Sequence, residues 1–371
     1  MSLAHELKAL EPDCQIVYIG HKGDRFDSLK ESSKDFDFVS FIDGGKFRRY
    51  HGESLASHVL DIKTILLNIR DFFKVLGSVW SAFKILRRVR PQVVFSKGGF
   101  VVVPVGIAAH LLRIPIVTHD SDAVPGLANR IVGRWAVANA TGMPAHFYRY
   151  PQERVHYVGV PVAGLAPIAR SKLPEFKKSL GLSSASQVLL VSGGGNGSKR
   201  LNDLMISAAP SLLADNLALN IVHVCGQMHE EAVKQLYKAV LPEEILSRVK
   251  VMGFTDKFHE YAASADLILA RAGATSLAEF AILGKACVVM PSPFLAGGHQ
   301  LKNAEELKAR DAAVVVDEDM TSDEFIGVAN ELLNNPARRQ ELGSHLSELA
   351  MPDAAHNLAK LILASAKEVK A

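Results

Sequence analysis

Short apolar runs rich in β-branched residues alternate with helix-sized segments along nearly the whole chain, and this alternation limits the fold more than any other feature. In the first half the runs fall at 15–19 (QIVYI), 37–42 (DFVSFI), 92–95 (QVVF) and 115–118 (PIVT), with weaker ones near 136–140 and 155–158. In the second half they fall at 187–191, 219–224, 249–252, 266–270, 286–290 and 312–316. Strands this short and this apolar are buried on both faces, and a helix between successive strands makes them parallel. The chain therefore reads as α/β, with two Rossmann-like doubly wound domains. A length of 371 residues exceeds one ordinary domain and suits two. Pro161, Pro167 and Pro174 mark 159–175 as the linker. The expected division is an N-terminal domain over 1–162, a C-terminal domain over 163–350, and an amphipathic helix within 351–371.

A doubly wound domain ordinarily opens strand, glycine turn, helix, with that strand in the middle of the sheet. Here a helix over Leu3–Leu10 comes first. The expectation is that a strand, a phosphate-cradling turn and a helix start, about 20 residues together, stand upstream of Met1 in the genuine reading frame.

Some classes drop out early. No apolar run approaches the roughly 20 residues of a membrane-spanning helix. Cys14, Cys225 and Cys287 are too scattered for a disulfide framework or a cysteine zinc site, which suits a reducing cytoplasm.

Chemistry concentrates at strand ends. Gly193-Gly194-Gly195-Asn196-Gly197-Ser198-Lys199 follows the 187–191 strand and precedes a helix. Glycines there let backbone N–H groups approach an anion at a helix start, although a tight turn without a ligand explains them equally well. The segment fits neither a P-loop nor a clean dinucleotide fingerprint. Arg271-Ala272-Gly273-Ala274-Thr275-Ser276 follows the next central strand, with Glu279 about a turn further on, where a carboxylate can accept two hydrogen bonds from a ribose diol. Gly297-Gly298-His299-Gln300, with Asn303, lies beyond the 286–290 strand, where open α/β sheets bind ligands. His299 has no second ligand at metal-binding spacing, so no metal is expected. In the first domain Lys97-Gly98-Gly99-Phe100 and His119-Asp120-Ser121-Asp122 fall at strand ends, followed by Val124-Pro125-Gly126 and Asn129-Arg130. A histidine beside two carboxylates serves as a tuned acid or base, or as part of a structural hydrogen-bond network.

The net charge of +3 hides a basic segment: Lys63, Arg70, Lys74, Lys84, Arg87, Arg88 and Arg90 face only Asp61 and Asp71. Phe72, Leu76, Val79, Trp80 and Phe83 recur there at helical spacing, with Phe73 on the flank. Such a stripe ordinarily faces a core; flanked by this much positive charge it also suits a helix resting on anionic lipid. A nucleic-acid surface would interleave more polar groups, so no nucleic-acid partner is expected.

Taken in order, these motifs resemble the MurG family, bacterial transferases that add N-acetylglucosamine to undecaprenyl-diphospho-muramoylpentapeptide in peptidoglycan synthesis. The resemblance runs from Leu3 to about Ala350. Gly98-Gly99-Phe100 stands for the family's Gly-Gly-Tyr. His119 to Asp122 stands for its His-Glu-Gln-Asn loop, and Pro125-Gly126-Leu127 with Asn129-Arg130 for its Pro-Gly-Leu and Asn-Arg. Gly193–Gly197 matches Gly-Gly-Ser-x-Gly. Arg271–Glu279 matches the donor motif, and His299-Gln300 with Asn303-Ala304 the sugar-facing pair.

The resemblance implies a GT-B fold, UDP-N-acetylglucosamine as donor, no cofactor and no metal. Phe254 and Thr255 would frame the uracil and Glu279 hold the ribose. The backbone around Ala274, Thr275 and Ser276 would face the diphosphate and His299 and Gln300 would orient the sugar hydroxyls, with Gly194, Gly195, Asn196, Gly273 and Asn303 completing the donor site. Gly98, Gly99, His119, Asp120, Asp122 and Asn129 would serve the lipid-linked acceptor. Phe72, Phe73, Leu76, Trp80, Phe83, Lys84, Arg87 and Arg88 would dock the protein on the cytoplasmic face of the cell membrane.

Departures from the family pattern are specific. Its N-terminal Gly-rich loop, which carries a candidate base, is absent before Leu3, so no catalytic residue is assigned. Asp120-Ser121-Asp122 replaces Glu-Gln-Asn, Ala163 replaces an arginine, and Gly195 replaces a serine. A catalytically impaired sugar-nucleotide binder, or another enzyme of this fold such as an epimerase, are the alternative readings.

Overall fold

The computed structural model describes residues 2–21, 35–43, 62–162, 165, 169–184 and 186–367, the side chains of 62–73, 170 and 296 excepted. The expected linker, 159–175, falls partly outside these residues. Two compact units emerge: Met1–Ala163 together with Asp353–Ala371, and Gly164–Pro352.

The first unit runs α1 (Ser2–Leu10), β1 (Val17–His21), β2 (Phe38–Ile42), α2 (Ile62–Val89), β3 (Val94–Ser96), α3 (Val102–Leu111), β4 (Ile116–Asp120), α4 (Leu127–Val132), β5 (Ala138–Thr141) and β6 (Val155–Tyr157). Strands β3-β4-β5-β6 form one parallel sheet in chain order, and β1 and β2 a separate parallel pair. One face of the larger sheet is covered by α2 and α3, whose Ala82, Leu86, Val105, Ala108 and Ala109 pack with Ile116, Val132 and Ile42. Small residues on α3 let the helices approach closely: a Cβ on Gly106 would sit 2.5 Å from Val132.

The second unit runs α5 (Leu173–Ser179), β7 (Gln187–Ser192), α6 (Lys199–Asp215), β8 (Leu219–Val224), α7 (Glu230–Val240), α8 (Glu243–Leu246), β9 (Val249–Met252), α9 (Phe258–Ser264), β10 (Leu267–Ala270), α10 (Ala274–Leu283), β11 (Cys287–Val289), α11 (His299–Ala309), β12 (Val314–Val315), α12 (Ser322–Asn334) and α13 (Pro336–Ser347). Its sheet has the order β12-β11-β10-β7-β8-β9, every neighbouring pair parallel. This is the doubly wound order, with the chain reversing direction across the sheet between β7 and β10. Leu189 and Val191 on one face, and Val188 and Leu190 on the other, are fully buried in separate clusters, which explains the continuous apolar run.

The closing helix, α14 (Ala354–Lys367), returns to the first unit. Its Leu358 and Ile362 pack with Leu3 and Leu7 of α1 over Val117, Ala138 and Ala140, covering the second face of the four-stranded sheet. The helix set apart within 351–371 is thus structurally part of the N-terminal unit.

Helix α2 differs from the ordinary expectation for an apolar stripe. Its core face is Val75, Ser78, Ala82 and Leu86, while Leu76 is 49% and Trp80 60% exposed. Trp80 stacks on Phe83 at 5.9 Å, and the Lys84 ammonium lies 5.3 Å from the Trp80 ring centre. Lys84, Arg87 and Arg88 are exposed. Phe72 and Phe73 lie on the helix, but their side chains fall outside the described residues. Among the described residues no helix is long and apolar enough to cross a membrane.

Candidate functional site

The loops at the carboxyl ends of β7, β10 and β11 gather most of the expected donor residues around the topological switch point, while Phe254 and Thr255 follow the edge strand β9. After β7 the chain turns through Gly194 (φ +85°) and Gly197 (φ +76°), closed by the Gly197 N–H donating to the Gly194 carbonyl at 2.9 Å. Ser198 then caps α6 by accepting from the Leu201 N–H at 3.4 Å. The N–H groups of Gly195 and Asn196 have no partner among the described residues, in a turn with open space where a Cβ on Gly194 or Gly195 would lie. Gly197 is glycine for another reason: a Cβ there would lie 2.0 Å from the Cys225 carbonyl oxygen, because the turns after β7 and β8 press together.

Helix α10 opens with Gly273 as its N-cap, so no side chain closes the helix start. The first-turn N–H groups of Ala274, Thr275 and Ser276 are left for an anion. Thr275 is exposed and Ala274 buried. Glu279, in the second turn, is half-buried and has no hydrogen-bond or ion partner among the described residues; burial alone pushes its carboxyl up to about 7. A desolvated carboxylate without a donor is costly, and a ligand diol would relieve it.

After β11, Gly297 and Gly298 (φ +72° and +64°) swing the chain into α11. His299 is half-buried at its first position. Gln300 accepts from the Ser292 N–H at 2.9 Å through its amide oxygen, and Asn303, fully buried, donates to the Ala272 carbonyl at 2.9 Å. Asn303 therefore fixes the α10 turn from behind instead of lining a surface. Phe254, just past β9, is 63% exposed, and Thr255 accepts from the Lys257 N–H at 3.1 Å.

In the first unit the loops after β3 and β4 are joined from within. Asn129 donates to the His119 carbonyl at 2.9 Å and to Asp120 Oδ1 at 3.0 Å, and accepts from the Ser96 hydroxyl at 2.7 Å. Tyr150 donates to Asp120 Oδ2 at 2.8 Å, and Tyr148 to the Asp122 carbonyl at 2.8 Å. Burial raises the Asp120 pKa against these donors. His119 Nε2 meets the Gly159 carbonyl at 2.9 Å, an arrangement that makes it the protonated nitrogen, and Nδ1 is buried without a partner. Burial pulls His119 down to about 4. His119, Asp120 and Asn129 are at most 5% exposed, so the network shapes the loop from beneath. Gly98, Gly99 (φ +97° and +103°) and Asp122 form its more accessible part.

Residues outside the sequence motifs complete these networks. In the second unit His223, fully buried, bonds Tyr237 Oη at 3.0 Å and Asn202 Oδ1 at 3.0 Å, while Asn202 donates to the Cys225 carbonyl at 3.1 Å. Burial pulls His223 down to about 3. Its folded pKa lies below the ordinary 6.5, so the unfolded chain binds the extra proton and stability falls on acidification from about 6.5 toward 3. The stability advantage of the wild type over His223→Gln should shrink by about 2 kcal/mol between pH 7 and pH 5, measured by urea unfolding of both proteins. A constant gap would show that His223 does not titrate against the fold.

Two α/β units with parallel sheets, the second doubly wound with an open helix start at a strand carboxyl end, are the arrangement of the GT-B fold, which many glycosyltransferases adopt. Family models agree: the glycosyltransferase family 28 N-terminal domain matches residues 1–141 and the C-terminal domain of the same family residues 188–358. A UDP-N-acetylglucosamine–N-acetylmuramyl-(pentapeptide) pyrophosphoryl-undecaprenol N-acetylglucosamine transferase from Bacillus cereus is 30% identical over 359 residues, covering 96% of this chain and 93% of that protein. A transferase of the same name from Flavobacterium psychrophilum is 28% identical, covering 98% and 92%. The crystal structure of Acinetobacter baumannii MurG is 27% identical, with a TM-score of 0.71 over 98% of this chain and 95% of that one. The chain belongs to the MurG family of N-acetylglucosaminyltransferases. A UDP-N-acetylglucosamine 2-epimerase from Neisseria meningitidis, 10% identical with a TM-score of 0.63 over 98% and 95%, shares the fold alone.

Proposed function

We propose that this protein transfers N-acetylglucosamine from UDP-N-acetylglucosamine to undecaprenyl-diphospho-N-acetylmuramoyl-pentapeptide, with inversion, at the cytoplasmic face of the cell membrane. The observation that carries the donor half is the partnerless, half-buried Glu279 in α10, whose helix start is open, together with the open N–H groups of Gly195 and Asn196 in the turn after the neighbouring strand β7 at the switch point. A nucleoside diphosphate complements that set: its diol donates to Glu279 and its diphosphate accepts from the turns at 193–197 and 273–276. Phe254 offers an exposed ring to the base. His299 and Gln300 face the sugar, Gln300 through its amide nitrogen because its oxygen is held by Ser292.

In the transfer an acceptor hydroxyl oxygen bonds to the sugar C1 as the C1–phosphate bond breaks. UDP leaves with the electron pair, and the hydroxyl proton passes to a base that we do not assign. Helix-start amides stabilise the charge growing on the leaving diphosphate, so neither metal nor cofactor is required in this reading. Gly98, Gly99 and Asp122 would meet the acceptor, with His119, Asp120 and Asn129 holding their loop. Incubating the protein with radiolabelled UDP-N-acetylglucosamine and the lipid-linked acceptor tests the reaction: label should enter the lipid fraction. Nucleotide binding without transfer would select the impaired binder instead.

The membrane half rests on α2, where Leu76 and Trp80 are exposed beside Lys84, Arg87 and Arg88. Basic side chains near an anionic surface contribute about 1 kcal/mol each, and the indole adds burial in the interface. Trp80→Ala should weaken binding to vesicles rich in anionic lipid about tenfold in flotation, and high salt should weaken the wild type further. Wild-type protein that ignores such vesicles would end the docking reading.

A further inference from the structure

The guanidinium of Arg271 stands at the carboxyl end of β10, beside the proposed diphosphate site, yet the residue is only 8% exposed. Its Nε donates to the Ser198 hydroxyl at 3.0 Å, and Nη1 to the Met290 carbonyl at 3.1 Å. Nη1 and Nη2 together grip the Glu318 carboxylate, Nη2 at 2.9 Å. Ser198 caps the helix after the 193–197 turn, Met290 follows β11, and Glu318 follows β12. A single planar cation thereby ties together the ends of β7, β10, β11 and β12. Arg200, in the first turn of α6, closes the loop by donating from Nε to the Glu318 backbone carbonyl at 2.6 Å.

The charge of Arg271 is already matched by a carboxylate, and its fork is almost fully used. Four of the five guanidinium N–H groups have protein acceptors. A phosphate would have to displace Glu318 to gain a bidentate contact. We propose that Arg271 and Glu318 are a positioning pair: without touching the ligand, they set the spacing between the turns at 193–197 and 273–276 and so the affinity for the diphosphate. This deepens the sugar-nucleotide reading above and rests on it.

Arg271→Lys, Glu318→Gln and the double variant separate this role from direct phosphate binding and from general support of the fold. Affinity for UDP is read by calorimetry and for uridine, which lacks the diphosphate, by ligand-observed NMR. Each single change should weaken UDP about tenfold and leave uridine within about twofold, and the double variant should be no weaker than the worse single, because one coupled unit is lost once. If Glu318→Gln tightens UDP while Arg271→Lys loosens it, the arginine binds phosphate directly and the proposal falls. Equal losses for UDP and uridine would make the pair mere support and also overturn it. Should Arg271→Lys fail to fold, Glu318→Gln carries the comparison, since that carboxyl side chain is 21% exposed. A wild-type chain that binds neither ligand overturns the nucleotide reading itself, and this inference with it.

Discussion

UDP-N-acetylglucosamine should bind about tenfold more tightly at pH 8 than at pH 6, and Glu279→Gln should abolish most of that difference. The Glu279 carboxyl is held up to about 7 by burial. In the unliganded protein its ionised fraction therefore climbs from about a tenth at pH 6 to about nine-tenths at pH 8. A carboxylate accepts from both hydroxyls of a ribose diol in charge-assisted bonds, whereas the protonated acid offers one good acceptor and no charge, so ligand binding favours the ionised form and apparent affinity rises with that fraction. The sign in the free protein is opposite. A folded pKa above the ordinary 4.5 means that Glu279 favours folding as pH falls toward that value and opposes it above 7. Acidification should therefore stabilise the empty C-terminal unit through Glu279 while weakening its ligand. The sugar nucleotide is the right probe, because its diphosphate is esterified at both ends and carries no proton in this range. Calorimetry in buffers of different ionisation heat should also record proton release near pH 7. Affinity that is flat from pH 6 to 8 in the wild type would remove Glu279 from the site.

The strand pattern was legible because burial on both faces leaves a local signature. The run at 187–191 appears as β7, and even the weaker runs near 136–140 and 155–158 correspond to β5 and β6. Strand ends were less visible. The apolar reading stops β4 at Thr118, yet the strand continues through His119 and Asp120, whose polar atoms are met by Gly159, Asn129 and Tyr150. Such partners lie up to 40 residues apart in the chain, and no local pattern announces them. For the same reason the motifs located the donor turns but could not distinguish residues that face a ligand from those that brace the loops. Asn303 and Asn129 are polar residues in motif positions, and both prove to be interior braces. Nor could spacing decide which face of α2 is buried. The core took Val75, Ser78, Ala82 and Leu86, of which Ala82 and Leu86 pack with α3, and left Leu76 and the bulky Trp80 outside.

Two substitutions in the glycine turn after β7 should act in opposite directions, and together they test whether that turn meets the nucleotide. Gly197 has φ +76°, and an added Cβ would lie 2.0 Å from the Cys225 carbonyl oxygen and 2.8 Å from its carbon. Backbone cannot swing aside as a flexible side chain can, so Gly197→Ala must push the turns after β7 and β8 apart. Left-handed strain of about 1–2 kcal/mol adds to the clash. A total near 3 kcal/mol corresponds to about a hundredfold loss of UDP-N-acetylglucosamine affinity if the turn rearranges to absorb it. Gly195, two residues earlier, would have nothing within 4 Å of an added Cβ and is not among the positive-φ glycines. Serine fits there without strain and restores the hydroxyl that the family pattern carries at this position. A single hydrogen bond to a charged oxygen contributes about 1.5 kcal/mol, so Gly195→Ser should tighten binding by about tenfold. Melting temperatures separate the two effects: the alanine variant should melt lower, and the serine variant should be unchanged without ligand but gain more stabilisation from it than the wild type does. If Gly195→Ser leaves affinity unaltered while Gly197→Ala lowers stability alone, the turn is a structural joint and the diphosphate is held by the α10 helix start without it.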